Sequence, residues 1–346
     1  MTEVPAPALR LDFDSEALAA NWRALDRLSG RASAGAAVKA NGYGLGIDRV
    51  APVLREAGCS QFYVAHWSEV PALLAHVEPG QVSVLHGPVT AEEAAYARAT
   101  GVRPVLNSLP QVSRWIAAGG GRCDLMIDTG MNRLGLSPDT LGDPSLAALQ
   151  IDTVMSHLAC ADEDVPDNAI QLGRARSAFQ AVRARRCSLA NSAGIALGAD
   201  YCFDLTRPGL ALYGGVPRRE LSGPIRQVAR PRTAVMQIRD LKAGDRVGYN
   251  ATFVAQHEMR AAVAAIGYAD GYLRCWSGKG VLHRNNKRLP ILGRVSMDMV
   301  VVDAGEVPEL REGDWLDIPW FLPDAAAISG LSQYELLTVL GRRLIA

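Results

Sequence analysis

From residue 34 to about residue 209 the chain alternates short apolar runs with amphipathic stretches, and this alternation limits the folds open to it more than any other feature. Read as strands, the apolar runs cover 34–38, 62–65, 82–86, 103–107, 123–128, 151–157, 187–190 and 203–207. Helical patterns lie between them, for example at 47–57, 68–75, 92–99, 111–118 and 169–184. Strands that alternate with helices build a parallel sheet, because each crossover brings the next strand back in the same direction. Eight such units is the number that closes into a (β/α)8, TIM-like barrel. The rival is an open doubly wound sheet, but no Gly-x-Gly-x-x-Gly follows the first strand. One more helix precedes that strand, with Ser15 as its N-cap and Gly30 as its stop.

A barrel collects its chemistry at the C-terminal ends of its strands. Polar residues stand at seven of the eight ends: Lys39, His86, Asn107, Asp128, His157, Asn191-Ser192, and Arg207 with Gly209. Lys39 carries the most chemistry. A lysine forms a Schiff base with a carbonyl cofactor when its site favours the neutral amine. Strand alternation puts Gly35, Ala37 and Lys39 on one face, and two small residues beneath a long amine leave room for a bulky group.

After about residue 224 the texture changes. Alternating segments at 233–238, 260–266, 288–292 and 299–302 are separated by turn signals such as Ala243-Gly244-Asp245 and Asn285-Asn286-Lys287. No useful helix pattern intervenes before 332–340. The expected division is therefore a barrel over 1–224 and a smaller, mostly-β domain with a C-terminal helix over 225–346.

Composition narrows the function. Basic and acidic residues balance at 36 each, which gives no electrostatic case for a nucleic acid or an anionic membrane. No apolar run is long enough to span a bilayer, and the N-terminus lacks a signal-peptide pattern. Six cysteines without Cys-x-x-Cys spacing fit reduced thiols in a cytoplasm, and no residues show metal-ligand spacing.

Several segments, in order along nearly the whole chain, resemble the motifs of bacterial alanine racemases. They begin with Ala37-Val38-Lys39-Ala40-Asn41-Gly42-Tyr43-Gly44-Leu45-Gly46. Asp128-Thr129-Gly130-Met131-Asn132-Arg133-Leu134-Gly135, Ser156-His157-Leu158-Ala159, Asn191-Ser192-Ala193-Gly194 and Arg207-Pro208-Gly209 follow. Gly248-Tyr249, Ile266-Gly267-Tyr268-Ala269-Asp270-Gly271 and Gly293-Arg294-Val295-Ser296-Met297-Asp298-Met299 complete the set.

The resemblance implies a pyridoxal phosphate (PLP) enzyme that interconverts L- and D-alanine by two bases and supplies D-alanine for peptidoglycan. It implies a cytoplasmic homodimer with shared active sites. Lys39 would carry PLP as a Schiff base and act as one base, and Tyr249 of the partner subunit would be the other. Tyr43, Ser192, Gly209, Leu210 and Tyr334 would bind the phosphate. Arg207 would contact the pyridine nitrogen, with His157 hydrogen-bonded to Arg207. Arg133 and the partner subunit's Met297 would hold the substrate carboxylate, with Asp298 beside that shared site. Arg274 would orient Tyr249, and Tyr268 would narrow the entrance. An arginine at the pyridine nitrogen keeps it unprotonated and weakens the electron sink, which suits racemisation over transamination. The alternatives are an amino-acid decarboxylase on the same plan and a non-catalytic PLP-binding protein. One departure is marked: many family members have a carbamylated lysine that buttresses the substrate arginine, and Met126 stands there. The chain is expected to work without that carbamate. Ser296 occupies a position that is often cysteine.

Overall fold

Gly35 breaks the first barrel strand into Ser33–Ala34 and Ala36–Ala37, and the two halves pair with different neighbours in the computed structural model, which describes residues 6–345. Ala36–Ala37 begins a parallel sheet that runs in chain order through Phe62–Val64, Val82–Val84, Arg103–Leu106, Arg122–Met126, Gln150–Met155 and Arg186–Ser188. Ser33–Ala34 pairs in parallel with Leu205–Thr206, in the register Leu205↔Ser33. Arg207 N donates to Ala190 O at 2.8 Å and Asp204 N to Cys187 O at 3.1 Å, so the last strand also meets the seventh. The barrel is closed.

Its helices follow from the apolar period. In Ile47–Ala57 the buried residues are Ile47, Val50, Ala51 and Leu54, one face of a helix. Gly58, at φ +116°, ends it in the left-handed conformation that a side chain resists. The first helix, Ser15–Leu28, includes Ser15 rather than following it. Along Arg122–Met126 and the next residue, Cys123, Leu125 and Ile127 pack outward with Val112, Trp115 and Leu172 of the helices. Asp124 points the other way, where its carboxylate accepts from Ser83 Oγ (2.6 Å), Thr153 N (3.1 Å) and Arg103 Nε (3.5 Å). Asp152 is buried as well, ringed by Arg122, Arg185 and Arg186.

The chain divides into Ser15–Arg226 and a second unit made of Met1–Asp14 with Gln227–Ala346. That corrects the expected ranges. The division falls after Arg226 rather than after residue 224, and the strand Leu9–Phe13 belongs to the second unit. The cause is strand pairing. Leu9–Phe13 runs antiparallel to the 13-residue strand Ala229–Leu241, in the register Leu11↔Pro231, and covers its backbone edge.

In this second unit Ala229–Leu241 continues to Met259–Ala264, Val300–Asp303, Lys287–Leu292, Val281–Arg284 and Trp315–Asp317. Trp315–Asp317 returns to Ala229–Leu241 through Thr233↔Leu316 and closes an antiparallel β-barrel. A helix at Leu322–Ser329 was not expected. Its signals are a proline in the first turn and left-handed Gly330 after the last, without an alternating polar face to announce it. Gln333–Thr338 follows, capped by Ser332 and Glu335 in a reciprocal capping box. Among the described residues, no helix is long and apolar enough to cross a membrane. None of them forms a group of three or more His, Cys, Asp or Glu side chains set to hold a metal ion.

Candidate active site

Lys39 opens a five-residue turn, Lys39–Tyr43, just past the first barrel strand. The turn is left-handed: Ala40, Asn41 and Tyr43 each have φ of 54°, Gly42 64° and Gly44 85°. Three of these residues carry a Cβ, at a cost on the order of 1–2 kcal/mol apiece. Hydrogen bonds compensate, from Gly42 N to Val38 O, Gly44 N to Ala40 O and Gly46 N to Asn41 O, each 2.9 Å. Asn41 Oδ1 accepts from Ile47 N at 2.9 Å and so ties the turn to the next helix. The expectation about Gly35 needs correction. A Cβ there would meet the Tyr63 ring and the Gln61 carbonyl at 3.0 Å, so its small size serves strand packing and not a bulky group above. Burial, reinforced by the Arg133 charge and opposed by Glu69, draws the Lys39 amine below the ordinary lysine range.

Arg207 ends the eighth strand inside the barrel with 6 % of its surface exposed. Its guanidinium donates to Ser188 Oγ and to the Ser156 carbonyl, both neutral acceptors. No ion pair to Arg207 occurs among the described residues. The expected hydrogen bond from His157 to Arg207 does not occur among the described residues, where the Arg207 side chain bonds Ser188 and Ser156. His157 instead stands as a neutral ring, pushed down to about 3 by burial and by the Arg207, Arg133 and Lys39 charges. Next to Arg207, Ser192 Oγ accepts from Gly209 N (3.0 Å) and Ala211 N (3.1 Å). Both lone pairs are then used, which leaves the hydroxyl proton to donate. A Cβ on Gly209 would fall 2.2 Å from Tyr43 Oη, and Tyr43 stacks on Tyr213 with centroids 4.6 Å apart. Tyr43, Ser192, Gly209 and Leu210 are all buried.

Arg133 sits on a loop closed by Asp128 N to Leu136 O and Leu136 N to Met126 O, both 2.9 Å. Asp128 Oδ1 folds the loop start by accepting from Gly130 N and Met131 N. Gly135 is needed for the closure, since a Cβ there would lie 2.5 Å from Asp128 N. The Arg133 side chain is exposed and makes no ion pair or hydrogen bond among the described residues. Met126, 8 % exposed, offers it no charged buttress.

The remaining expected residues lie in the β unit. Tyr268 N donates to Ser296 O and Ala269 N to Met297 O, both 3.0 Å, so two loops are bonded backbone to backbone. A Cβ on Gly267 would come within 2.3 Å of both carbonyls, which only glycine avoids. Arg274 stacks over the Tyr268 ring at 5.3 Å. Tyr249 is 62 % exposed on a short turn after left-handed Gly248. Asp298 Oδ1 accepts from Arg343 Nη1 at 2.8 Å, and Arg343 Nε lies 2.7 Å from Asp270. Tyr334 is half-exposed on the helix Gln333–Thr338.

The models of the alanine racemase N-terminal domain and C-terminal domain match residues 13–217 and 228–346. The chain belongs to the alanine racemase family. It is 40 % identical to the alanine racemase of Methylobacterium nodulans, across 99 % of this chain and 96 % of that one. The alanine racemase of Rhizobium meliloti is also 40 % identical, across 96 % and 95 %. The crystal structure of alanine racemase from Bartonella henselae with covalently bound pyridoxal phosphate superposes with a TM-score of 0.91 at 34 % identity, covering 98 % of this chain and 99 % of that one.

The residues present in this alanine racemase family member fit PLP. Arg207 is a buried cation with donors but no anion, matched to a neutral ring nitrogen. The Gly209 backbone, approached closely by the Tyr43 hydroxyl and with the Ser192 proton beside it, suits a phosphate oxygen. Sequence reasoning missed Ser188 and Ser156, which hold Arg207, and Arg343, which holds Asp298. It also missed Glu69, although Glu69 stands three residues after His66 in the spacing of a capping box.

Proposed function

We propose that this chain is a PLP-dependent alanine racemase that works as a homodimer in the cytoplasm, with Lys39 and the partner subunit's Tyr249 as the two bases. The observation that carries the reading is Lys39 itself, an amine drawn toward its neutral form at a barrel-strand end that also bears the anion-free Arg207. When bound, PLP supplies an electron sink that acidifies the alanine Cα–H bond.

The chain's own groups do the rest. The Lys39 amine, neutral when it acts, takes or returns a proton at Cα on one face. The phenol of the partner subunit's Tyr249 serves the opposite face. Arg207, a fixed cation, donates to the ring nitrogen and keeps it unprotonated. Tyr43, Ser192, Gly209 and Leu210 anchor the phosphate, with Tyr334 completing that anchor. Arg133 has its fork free and pairs with the substrate carboxylate. The Met297 N–H, which bonds no protein acceptor among the described residues, adds a second donor from the partner side. Tyr268, stacked under Arg274, narrows the entrance. The exposure of Tyr249 and Met297, 62 % and 52 %, supports a second copy covering them. Family membership supports the supply of D-alanine to the cell wall as the role.

The test is conversion of L-alanine to D-alanine and back by the PLP-loaded enzyme, with borohydride trapping and peptide mass mapping. Equal conversion in both directions is expected, with the pyridoxyl adduct on Lys39 and both lost in Lys39→Ala. Release of carbon dioxide in place of D-alanine, or an adduct on another lysine, would overturn the reading.

A further inference from the structure

Glu69 is outside every motif named so far, yet it joins two barrel-strand ends. One carboxylate oxygen, Oε1, accepts from Ala40 N (2.5 Å) and Asn41 N (3.4 Å), the first two amides after Lys39. The other, Oε2, accepts from Ala65 N (2.8 Å) and His66 N (3.0 Å), at the end of the second strand. Those first two amides belong to Ala40 and Asn41, both left-handed non-glycine residues. A turn so strained persists only when its surroundings over-determine it. Its exposed N–H groups point at a full negative charge, the strongest acceptor a side chain offers.

We propose that Glu69 is a positioning residue for Lys39, fixing the amine through the backbone of the left-handed turn and setting a carboxylate charge against the two amides that follow it. The proposal rests on Lys39 being the reactive amine. The other charged and titratable groups that bear on this region are Arg133, His86, His157 and, through His86, His66. Arg133 works against protonation of Lys39, and Glu69 works for it. Its charge thus keeps the amine from becoming too weak a base, while burial and Arg133 keep it from being permanently protonated.

The experiment uses the full-length chain, first without cofactor. Lys39 is labelled with an amine-selective reagent across a pH series, and the labelled peptide is quantified by mass spectrometry. Glu69→Gln removes the charge but keeps one acceptor oxygen, Glu69→Asp keeps the charge on a shorter arm, and Glu69→Ala removes both. In Glu69→Gln the labelling midpoint falls by about half to one pH unit, because the protonated amine loses its counter-charge. The kcat of the PLP-loaded Glu69→Gln variant falls at least about tenfold in both directions, as expected when a reacting group is misplaced. Glu69→Asp holds the midpoint closer to wild type than Glu69→Gln does. If Glu69→Ala does not fold, the other two variants decide the question. A Glu69→Gln midpoint equal to wild type overturns the proposal, whether or not kcat falls, since a merely structural staple would leave the amine's titration alone. Failure of wild type to trap PLP on Lys39 would instead remove the functional reading, and the labelling series on the cofactor-free chain tells the two failures apart.

Discussion

His157 is partly buried, and the charges of Arg207, Arg133 and Lys39 add to what burial does to its ring. Its imidazole titrates at about 3 in the fold against about 6.5 in an unfolded chain. Between those values the unfolded state binds a proton that the folded state refuses. The stability that depends on neutral His157 is therefore complete above pH 6.5 and drains away as pH falls toward 3. At pH 5 the loss is on the order of 1–2 kcal/mol. Urea unfolding of the cofactor-free chain at pH 7 and pH 5 measures it, with His157→Asn as the control that lacks the titrating ring. The wild type is expected to lose more between the two conditions than the variant. Equal losses would mean that His157 accepts its proton while folded.

At the scale of an element, the strand Arg122–Met126 does two jobs with its two faces. Cys123 and Leu125 bind the helical layer by apolar burial, while Asp124 enters the barrel and pairs with Arg103. Neither member of that pair is more than 2 % exposed. Asp124→Ala takes from Arg103 the nearer of its two buried carboxylates, leaving Asp152 at 4.0 Å, and removes the acceptor of the Ser83 hydroxyl and Thr153 N, for a loss of about 3–5 kcal/mol. Removing both charges, as Asp124→Leu with Arg103→Met, is expected to cost less than Asp124→Ala alone, because no buried charge is left uncompensated. Denaturant midpoints of the three proteins give the comparison. A double variant worse than the single one would show that the pair stabilises the barrel by more than its desolvation cost.

For the whole molecule, the proposed bases stand in separate units of the chain, Lys39 in Ser15–Arg226 and Tyr249 in the β unit. A site that takes one base from each of two copies can be rebuilt from two broken parents. Lys39→Ala and Tyr249→Phe subunits are each expected to be inactive on their own. A hybrid restores one of its two sites, and random exchange brings back about a quarter of wild-type activity. A verified hybrid that stays inactive would place both bases within one chain.

The eight-unit barrel was legible because it depends on a local quantity, the alternation of apolar runs with amphipathic stretches. Strand ends expected to bear chemistry lie where Lys39, His157, Ser192 and Arg207 now stand, since closure fixes which end of each strand faces which way. Pairings between residues far apart in the chain were not legible. Leu9–Phe13 carries no mark in its own residues of pairing with Ala229–Leu241, more than two hundred positions away. Nor does Arg343 announce that it holds Asp298, or Ser188 that it holds Arg207. The left-handed path after Lys39 lay hidden for the same reason. Ala40 and Tyr43 resist that conformation on their own, and it is the distant Glu69 carboxylate and the Tyr213 ring that hold them there. Sequence alone determined the architecture and the chemical types at the site, which follow from period and position along each strand. Only the tertiary structure decided which partner each polar group met, because a hydrogen bond is specified by proximity in space and the sequence encodes that proximity nowhere locally.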